Sequence, residues 1–251
     1  MIGVPFTRHV MPEWAMSLAT QGYPIGTNLT YFTTKGVEVA DARNQMVEKA
    51  LEFGTRYLWF VDDDTAPPVF AARKLIYELE QQGPPFGKAM IAAGIYCSKE
   101  DPPYPIVFKG ELGQGAYWGW KAPTKDTEGD VFECSGIGTG CMMIRMELFK
   151  HLEKPYFKTV DLDPVDTKVF KEQQTDDLYF CDKVTKAGFK ILAHGGVLPL
   201  HWDEKTDRPF FLPQNSYPMK PREEKTEDVH LSQEQWKEKL DALEKENVPT
   251  P

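Results

Sequence analysis

The run Tyr57-Leu58-Trp59-Phe60-Val61 contains no charged or amide residue, and it stops on three adjacent carboxylates, Asp62, Asp63 and Asp64. A short unbroken apolar run of this kind reads as a buried strand. Adjacent like charges repel, and burying them costs several kcal/mol unless a positive group meets them. The run therefore constrains the chain twice. It must lie inside a sheet, and its end must open where a cation can arrive.

The neighbouring segments fit such a sheet. Ile2–Phe6 reads as a first strand that stops at the polar pair Thr7-Arg8, and "NLTYFTT" as a second. Between them "EWAMSLATQG" reads as a helix carrying Trp14 and Leu18 and stopped by Gly22. "VADARNQMVEKALEFG" is a clear helix, with Val39, Met46, Val47, Ala50 and Leu51 as its apolar stripe and Gly54 as its stop. A helix beginning at the Pro67-Pro68 pair, with Val69, Ala72, Ile76 and Leu79 on one face, leads to a fourth strand, "AMIAAGIYC". Strands alternating with helices of this length indicate βαβ units and a mostly parallel α/β sheet. Ligands of such sheets bind beyond the carboxyl ends of the strands, where Thr7, Arg8 and Asp62 to Asp64 all fall.

The second half differs. Residues 98–140 are rich in Gly, Pro and aromatics and read as short antiparallel strands and loops. "CMMIRMELFKHL" passes from strand to helix, and residues 153–174 form a polar linker or lid. "TDDLYFCDKVTKAGF" reads as a helix with Thr175 as N-cap and Gly188 as stop, followed by two short apolar runs, the second ending at His201. In the tail, Ser232 and Gln235 are spaced as a capping box, Leu231 and Trp236 as a hydrophobic staple, and Trp236, Leu240 and Leu243 as a narrow apolar stripe.

Composition excludes several classes. A net charge of −9 argues against a broad non-specific nucleic-acid surface. The four cysteines, Cys97, Cys134, Cys141 and Cys181, have no C-x-x-C spacing, so the expectation is reduced, buried thiols rather than a zinc knuckle or a disulfide framework. No apolar run is long enough to span a bilayer, and the start lacks a basic segment followed by an apolar one. No membrane insertion and a cytoplasmic location, host cytoplasm if the chain is viral, are the expectations.

Asp62 and Asp64 form an Asp-x-Asp element, and hard carboxylate oxygens suit Mg²⁺ or Mn²⁺. Mg²⁺ takes one or two protein carboxylates and completes its shell with water and substrate phosphates, which points to a diphosphate substrate. Arg43-Asn44 near a helix start are favourable neighbours for phosphate. The plainer alternatives are a strand-ending acidic turn and a surface arginine.

These residues resemble a family. "DARNQMVEKALEFGTRYLWFVDDD" is similar to the nucleotide-binding half of the GT-A-type glycosyltransferases, which pair an "A-R-N" helix start with a strand ending in Asp-x-Asp. "GIGTGCMMIRMELF" resembles their glycine-rich acceptor segment, "TDDLYFCDKVTKAGFKI" their acidic pair at a helix start, and "PLHWD" their late metal-binding histidine. The resemblance covers about residues 2–203. It implies a GT-A (Rossmann-like) sheet, mixed and mostly parallel, with a small antiparallel acceptor-side region. It implies a catalytic domain over 1–220, nucleotide-binding in 1–97 and acceptor-side in 98–220, with a charged tail over 221–251. It implies a nucleotide-sugar donor, usually a UDP-sugar, and Mn²⁺ or Mg²⁺ held by Asp62, Asp64 and His201, with His194 as the competing histidine. Thr7, Arg8, Arg43, Asn44, Asp62 and Asp63 are the expected nucleotide contacts, with His9 beside them. Asp177 is the expected base for an acceptor hydroxyl, the inverting arrangement, although Asp176 stands where the family more often has Glu.

The acceptor is open: a glycan, a small molecule, or a hydroxymethylated base in phage DNA. The loop aromatics Tyr117, Trp118 and Trp120 and the lysines Lys99, Lys109, Lys121 and Lys125 could serve the last. Two other functions compete. A nucleotidyltransferase acting on a sugar phosphate would need a glycine-rich loop after the first strand, and "GVPFTRHVMPEW" has no glycine there. A non-catalytic sugar-binding module would show no turnover.

Overall fold

The computed structural model describes residues 1–6, 10–101, 103–108, 131–161 and 173–212. Thr7, Arg8, His9, Lys109, Tyr117, Trp118, Trp120, Lys121, Lys125, residues 162–172 of the expected lid and the whole tail helix lie outside the described residues.

In chain order, β1 (Ile2–Phe6) leads through α1 (Pro12–Ala19) to β2 (Tyr31–Lys35), and α2 (Val39–Glu52) leads to β3 (Tyr57–Val61). After the two-residue β4 (Thr65–Ala66), α3 (Ala71–Gln82) leads to β5 (Ala89–Gly94). The short β6 (Val107–Phe108), β7 (Val131–Cys134) and β8 (Gly136–Ile137) precede β9 (Cys141–Arg145) and a 3₁₀ turn at Met146–Lys150. Then come the pair β10 (Val160–Asp161) and β11 (Gln173–Gln174), α4 (Asp176–Lys186), β12 (Lys190–His194), β13 (Leu200–Asp203) and β14 (Arg208–Phe210).

Seven strands form the main sheet in the order β2-β1-β3-β9-β5-β12-β7. β1 pairs in parallel with β2 and β3, and β5 with β12; β9 runs antiparallel between β3 and β5, and β7 is an antiparallel edge. The architecture is a mixed, mostly parallel α/β sheet flanked by helices, with a small antiparallel sheet, β14-β13-β4, beside it.

The apolar run is buried on both faces. Leu58 and Phe60 join the core beneath α2 and α4, whereas Trp59 and Val61 join the core beneath α1 and α3. Each such side chain contributes about 1.5–3 kcal/mol when fully withdrawn from water. That is why this run can tolerate no polar residue until Asp62. All four cysteines are free and buried. Among the described residues no helix is long and apolar enough to cross a membrane.

Several local expectations shift. Val39 and Leu51 face solvent, and the buried face of α2 is Ala40, Ala42, Arg43, Met46, Val47 and Ala50. α3 begins at Ala71, not at the prolines, because Phe70 takes a left-handed conformation (φ 68°) just before it; Val69 is exposed. The segment after β9 winds as a 3₁₀ turn rather than an α-helix. Gly188, φ +83°, ends α4 as expected, a backbone state that L side chains rarely adopt.

Candidate active site

β1, β3, β5 and β12 end on the same edge of the sheet, and antiparallel β9 begins there, with Cys141 opposite Val61. The three carboxylates leave β3 at this edge on a pinned turn. Asp62 N–H donates to Gly140 O (3.2 Å), Asp62 O accepts from Trp14 Nε1 (2.7 Å) and Thr65 N–H (3.0 Å), and Asp64 O accepts from Trp202 N–H (2.7 Å). The last bond belongs to the small sheet, where β4 pairs with β13 and sets His201 opposite Thr65. Two residues of strand, too few to show any periodicity, thus bring the late histidine to Asp64.

Arg43 is 4% exposed and carries two carboxylates. Its Nη2 donates to both oxygens of Asp62 at 3.0 Å, and its Nη1 to Asp176 Oδ2 at 2.5 Å. Arg43, expected as a phosphate contact, forms a clamp between the end of β3 and the start of α4. Asn44 is likewise committed: its Oδ1 accepts from Tyr156 and Phe157 N–H and its Nδ2 donates to Phe157 O, fixing the segment whose Phe157 stacks on Phe180. Burial pushes the Asp62 carboxyl up, and the nearby Asp64 charge adds to this, although Arg43 pulls the other way.

Asp64 is placed differently. Its Oδ2 accepts from Lys99 Nζ at 2.6 Å and lies 3.4 Å from His201 Nε2, and its Oδ1 accepts from Thr65 Oγ1. Burial alone would raise this carboxyl, but the bonds and charges of His201 and Lys99 hold it well below the usual range. His201 Nδ1 lies 2.6 Å from Cys97 O, and a carbonyl can only accept, so Nδ1 carries the proton and donates. With Nδ1 so used, Nε2 is the nitrogen that faces Asp64: as an N–H it donates to Oδ2, and as a lone pair it is available to a cation placed between the two. A backbone carbonyl behind a ring nitrogen is the usual support of a metal-binding imidazole. His194, the competing histidine, instead accepts Gly196 N–H on Nδ1.

These residues fit a divalent ion. Ligand distances of about 2.0–2.1 Å put adjacent ligands of one ion roughly 3 Å apart, close to the 3.4 Å between Nε2 and Oδ2. Charge agrees: Arg43 and Lys99 face the carboxylates of Asp62, Asp64, Asp176 and Asp177, leaving an excess of negative charge for a cation to balance. Among the described residues no group of three or more His, Cys, Asp or Glu side chains is placed to hold a metal. The fit is therefore to an open site with two protein ligands, the kind that leaves positions for water and phosphate. Asp62, the third expected ligand, has both of its oxygens on Arg43 here.

Asp177 opens α4 beside the clamp. Its Oδ1 accepts from Leu178 N–H (2.8 Å) and from Thr175 Oγ1, so Thr175 holds this side chain instead of capping the helix backbone. Burial pushes the Asp177 carboxyl up and the Asp176 charge adds to it, against Arg43. A cleft of about 240 Å³ next to Asp64 is lined by Asp63, Lys99, Trp202, Glu204 and Lys205 among others.

Three groups of the site come from the segment just after β5. Tyr96 sets its ring edge-on to His201, Cys97 O orients that histidine, and Lys99 reaches Asp64. Tyr96 also explains the glycine-rich segment. Its hydroxyl accepts Gly140 N–H, and a Cβ on Gly138 would run into that hydroxyl and stand 2.7 Å from Cζ. Tyr96 is itself buried. Gly138→Ala is expected to destabilise the protein by about 1–3 kcal/mol through overpacking, read as a lower urea midpoint; an unchanged midpoint would show that the ring can yield.

Comparison with known proteins adds fold, not reaction. No protein-family model and no curated protein matches the chain. Among solved structures it is similar to A197 from STIV, with a TM-score of 0.56 at 16% identity over 84% of this chain and 92% of that one. It overlaps GalNAc-T7, crystallised with UDP, GalNAc and Mn²⁺, at a TM-score of 0.41 and 13% identity over 66% of this chain and 31% of that one. An apo UDP-glucose pyrophosphorylase overlaps at 0.35 and 11% identity, over 87% and 64% of the two chains. At such identity the first likeness is one of fold.

Proposed function

We propose that the chain is a glycosyltransferase of GT-A type that moves a sugar from a nucleotide-sugar, a UDP-sugar first among candidates, to an acceptor hydroxyl with inversion. The observation that carries this reading is the single clamp of Arg43, which ties the acidic turn after β3 to the helix start bearing Asp177. A diphosphate site and a general base need such a fixed relation, because misplacement of reacting groups by about 1 Å costs about 10²-fold.

In this reading Asp177 takes the proton of the acceptor hydroxyl. The acceptor oxygen bonds the anomeric carbon from the face opposite the leaving group. The bond from that carbon to the phosphate oxygen breaks, and its electron pair leaves with the nucleoside diphosphate. A base with a raised pKa suits this work, since it holds the abstracted proton better than an ordinary carboxylate does. When bound, Mn²⁺ or Mg²⁺ supplies charge neutralisation for the diphosphate; Asp64 and His201 are the residues that would hold it. Asp63, at the cleft, is assigned to the nucleotide side of the site.

Thermal denaturation with a panel of nucleotide-sugars, with and without Mn²⁺, tests the reading. A ligand at about 100 times its Kd adds about 2.7 kcal/mol, which for a chain of this size raises Tm by about 5–10 °C. The expected result is a rise with one class of donor and only with metal, accompanied by slow donor hydrolysis. An indifferent Tm across the panel would defeat the reading, and a rise without any turnover would favour a sugar-binding module.

A further inference from the structure

We propose that Lys99 is the resident counter-cation of Asp64, displaced when a divalent ion binds and then available to the diphosphate of the donor. This rests on the glycosyltransferase reading and adds to it a residue that the acidic motif does not contain.

One carboxylate oxygen serves two partners. Asp64 Oδ2 is the atom that faces His201 Nε2, and it is also the atom that accepts from Lys99 Nζ at 2.6 Å. An ion taking both Oδ2 and Nε2 as ligands would lie within about 2.0–2.1 Å of that oxygen. An ammonium still at hydrogen-bond distance from the same oxygen would then share that oxygen's charge with a dication and repel it at close range. The two cations therefore compete for Oδ2. His201 cannot make way, because Cys97 O fixes its Nδ1 and the Tyr96 ring packs on its side. Asp64 cannot turn away freely, because Thr65 Oγ1 holds Oδ1 and the backbone is pinned through Trp202.

Lys99 can move. Its side chain is 29% exposed, on a flexible stem, and it lines the cleft next to Asp64. That cleft also holds Asp63, Asp203 and Glu204, with Lys205 beside them, so a displaced ammonium still finds carboxylates there. In that same place a diphosphate would bring charge of the opposite sign. Lysine serves this better than arginine would, being a compact point charge rather than a planar fork already matched to a carboxylate. The lysine thus protects Asp64 while the site is empty and supplies a positive charge to the phosphate once metal and donor arrive.

The test uses the whole protein and Mn²⁺ alone as its first probe. Lys99→Met is expected to bind Mn²⁺ about three- to tenfold more tightly than wild type, by calorimetry or by the loss of free-Mn²⁺ signal in electron paramagnetic resonance. Lys99→Arg, which keeps a competing cation, is expected to stay near wild type. With donor and acceptor, Lys99→Met is expected to lose tenfold or more in kcat despite its better metal binding. A merely structural lysine would move both quantities in the same direction. Unchanged or weaker Mn²⁺ binding by Lys99→Met overturns the proposal while leaving the glycosyltransferase reading intact. Failure of wild type to bind Mn²⁺ overturns both, and is told apart by needing no variant at all.

Discussion

Asp177→Asn is expected to bind the donor as wild type does and to lose transfer by about 10²–10⁴-fold, the usual contribution of a positioned general base. The substitution keeps the shape and removes only the proton acceptor. Oδ1 is occupied by Leu178 N–H and Thr175 Oγ1, so the base function falls to Oδ2. Folding should not suffer, since the change removes one charge from a crowded acidic corner that Arg43 only partly compensates. The pH profile carries the sign. Burial raises Asp177 above the ordinary carboxylate value of 3.8, so wild-type kcat should fall with decreasing pH through a midpoint above 3.8. In Asp177→Asn that acid limb should vanish along with most of the rate. Product formation measured beside donor-induced thermal shift separates the outcomes. Wild-type transfer by the variant would remove Asp177 from the mechanism, and equal loss of donor binding would make it a binding residue.

What could be read in advance follows from where the determining forces act. β3 was legible because burial on two faces imposes an unbroken apolar run, and the end of α4 because a left-handed residue there asks for Gly188. The acidic turn was legible because adjacent carboxylates advertise a missing cation. The partners of those carboxylates were not. Arg43 meets Asp176 across 133 positions, and nothing near Arg43 distinguishes a buried clamp from a phosphate contact. Hydrophobicity chose Val39 and Leu51 for the inner stripe of α2, whereas ion pairing put Arg43 there instead. Lys99 reads only as one of several lysines that could serve a DNA acceptor, since its bond to Asp64 depends on a segment leaving β5 at the same sheet edge as Asp64. β4 shows the limit most sharply: its meaning lies in the pairing that delivers His201.

Arg43→Met is expected to cost the fold about 3–5 kcal/mol, the usual result of removing one partner from a buried ion pair. The guanidinium is 5% exposed and Asp176 6%, so water cannot replace the lost bonds; Asp62, at 22%, is only partly relieved. Methionine fills much of the volume, so the main cost comes from uncompensated carboxylates rather than from a cavity. That cost should therefore depend on pH in a definite direction. In the unfolded chain these carboxylates stay charged down to about pH 4. In the folded variant Asp62, which burial already pushes up, loses the Arg43 charge that pulls it down and takes up its proton at higher pH, and a native state that binds more protons gains stability as pH falls. The gap between wild type and Arg43→Met in urea denaturation should then narrow from pH 7 to pH 5. Adding Asp62→Asn and Asp176→Asn to Arg43→Met should recover part of the loss at pH 7, because neutral side chains carry a far smaller burial penalty. A pH-independent gap, or no recovery in the triple variant, would mean that packing of the arginine stem and not charge holds this corner. The same clamp would then lose its claim to position Asp177, since a corner held by packing alone gives the acidic turn no grip on the start of α4.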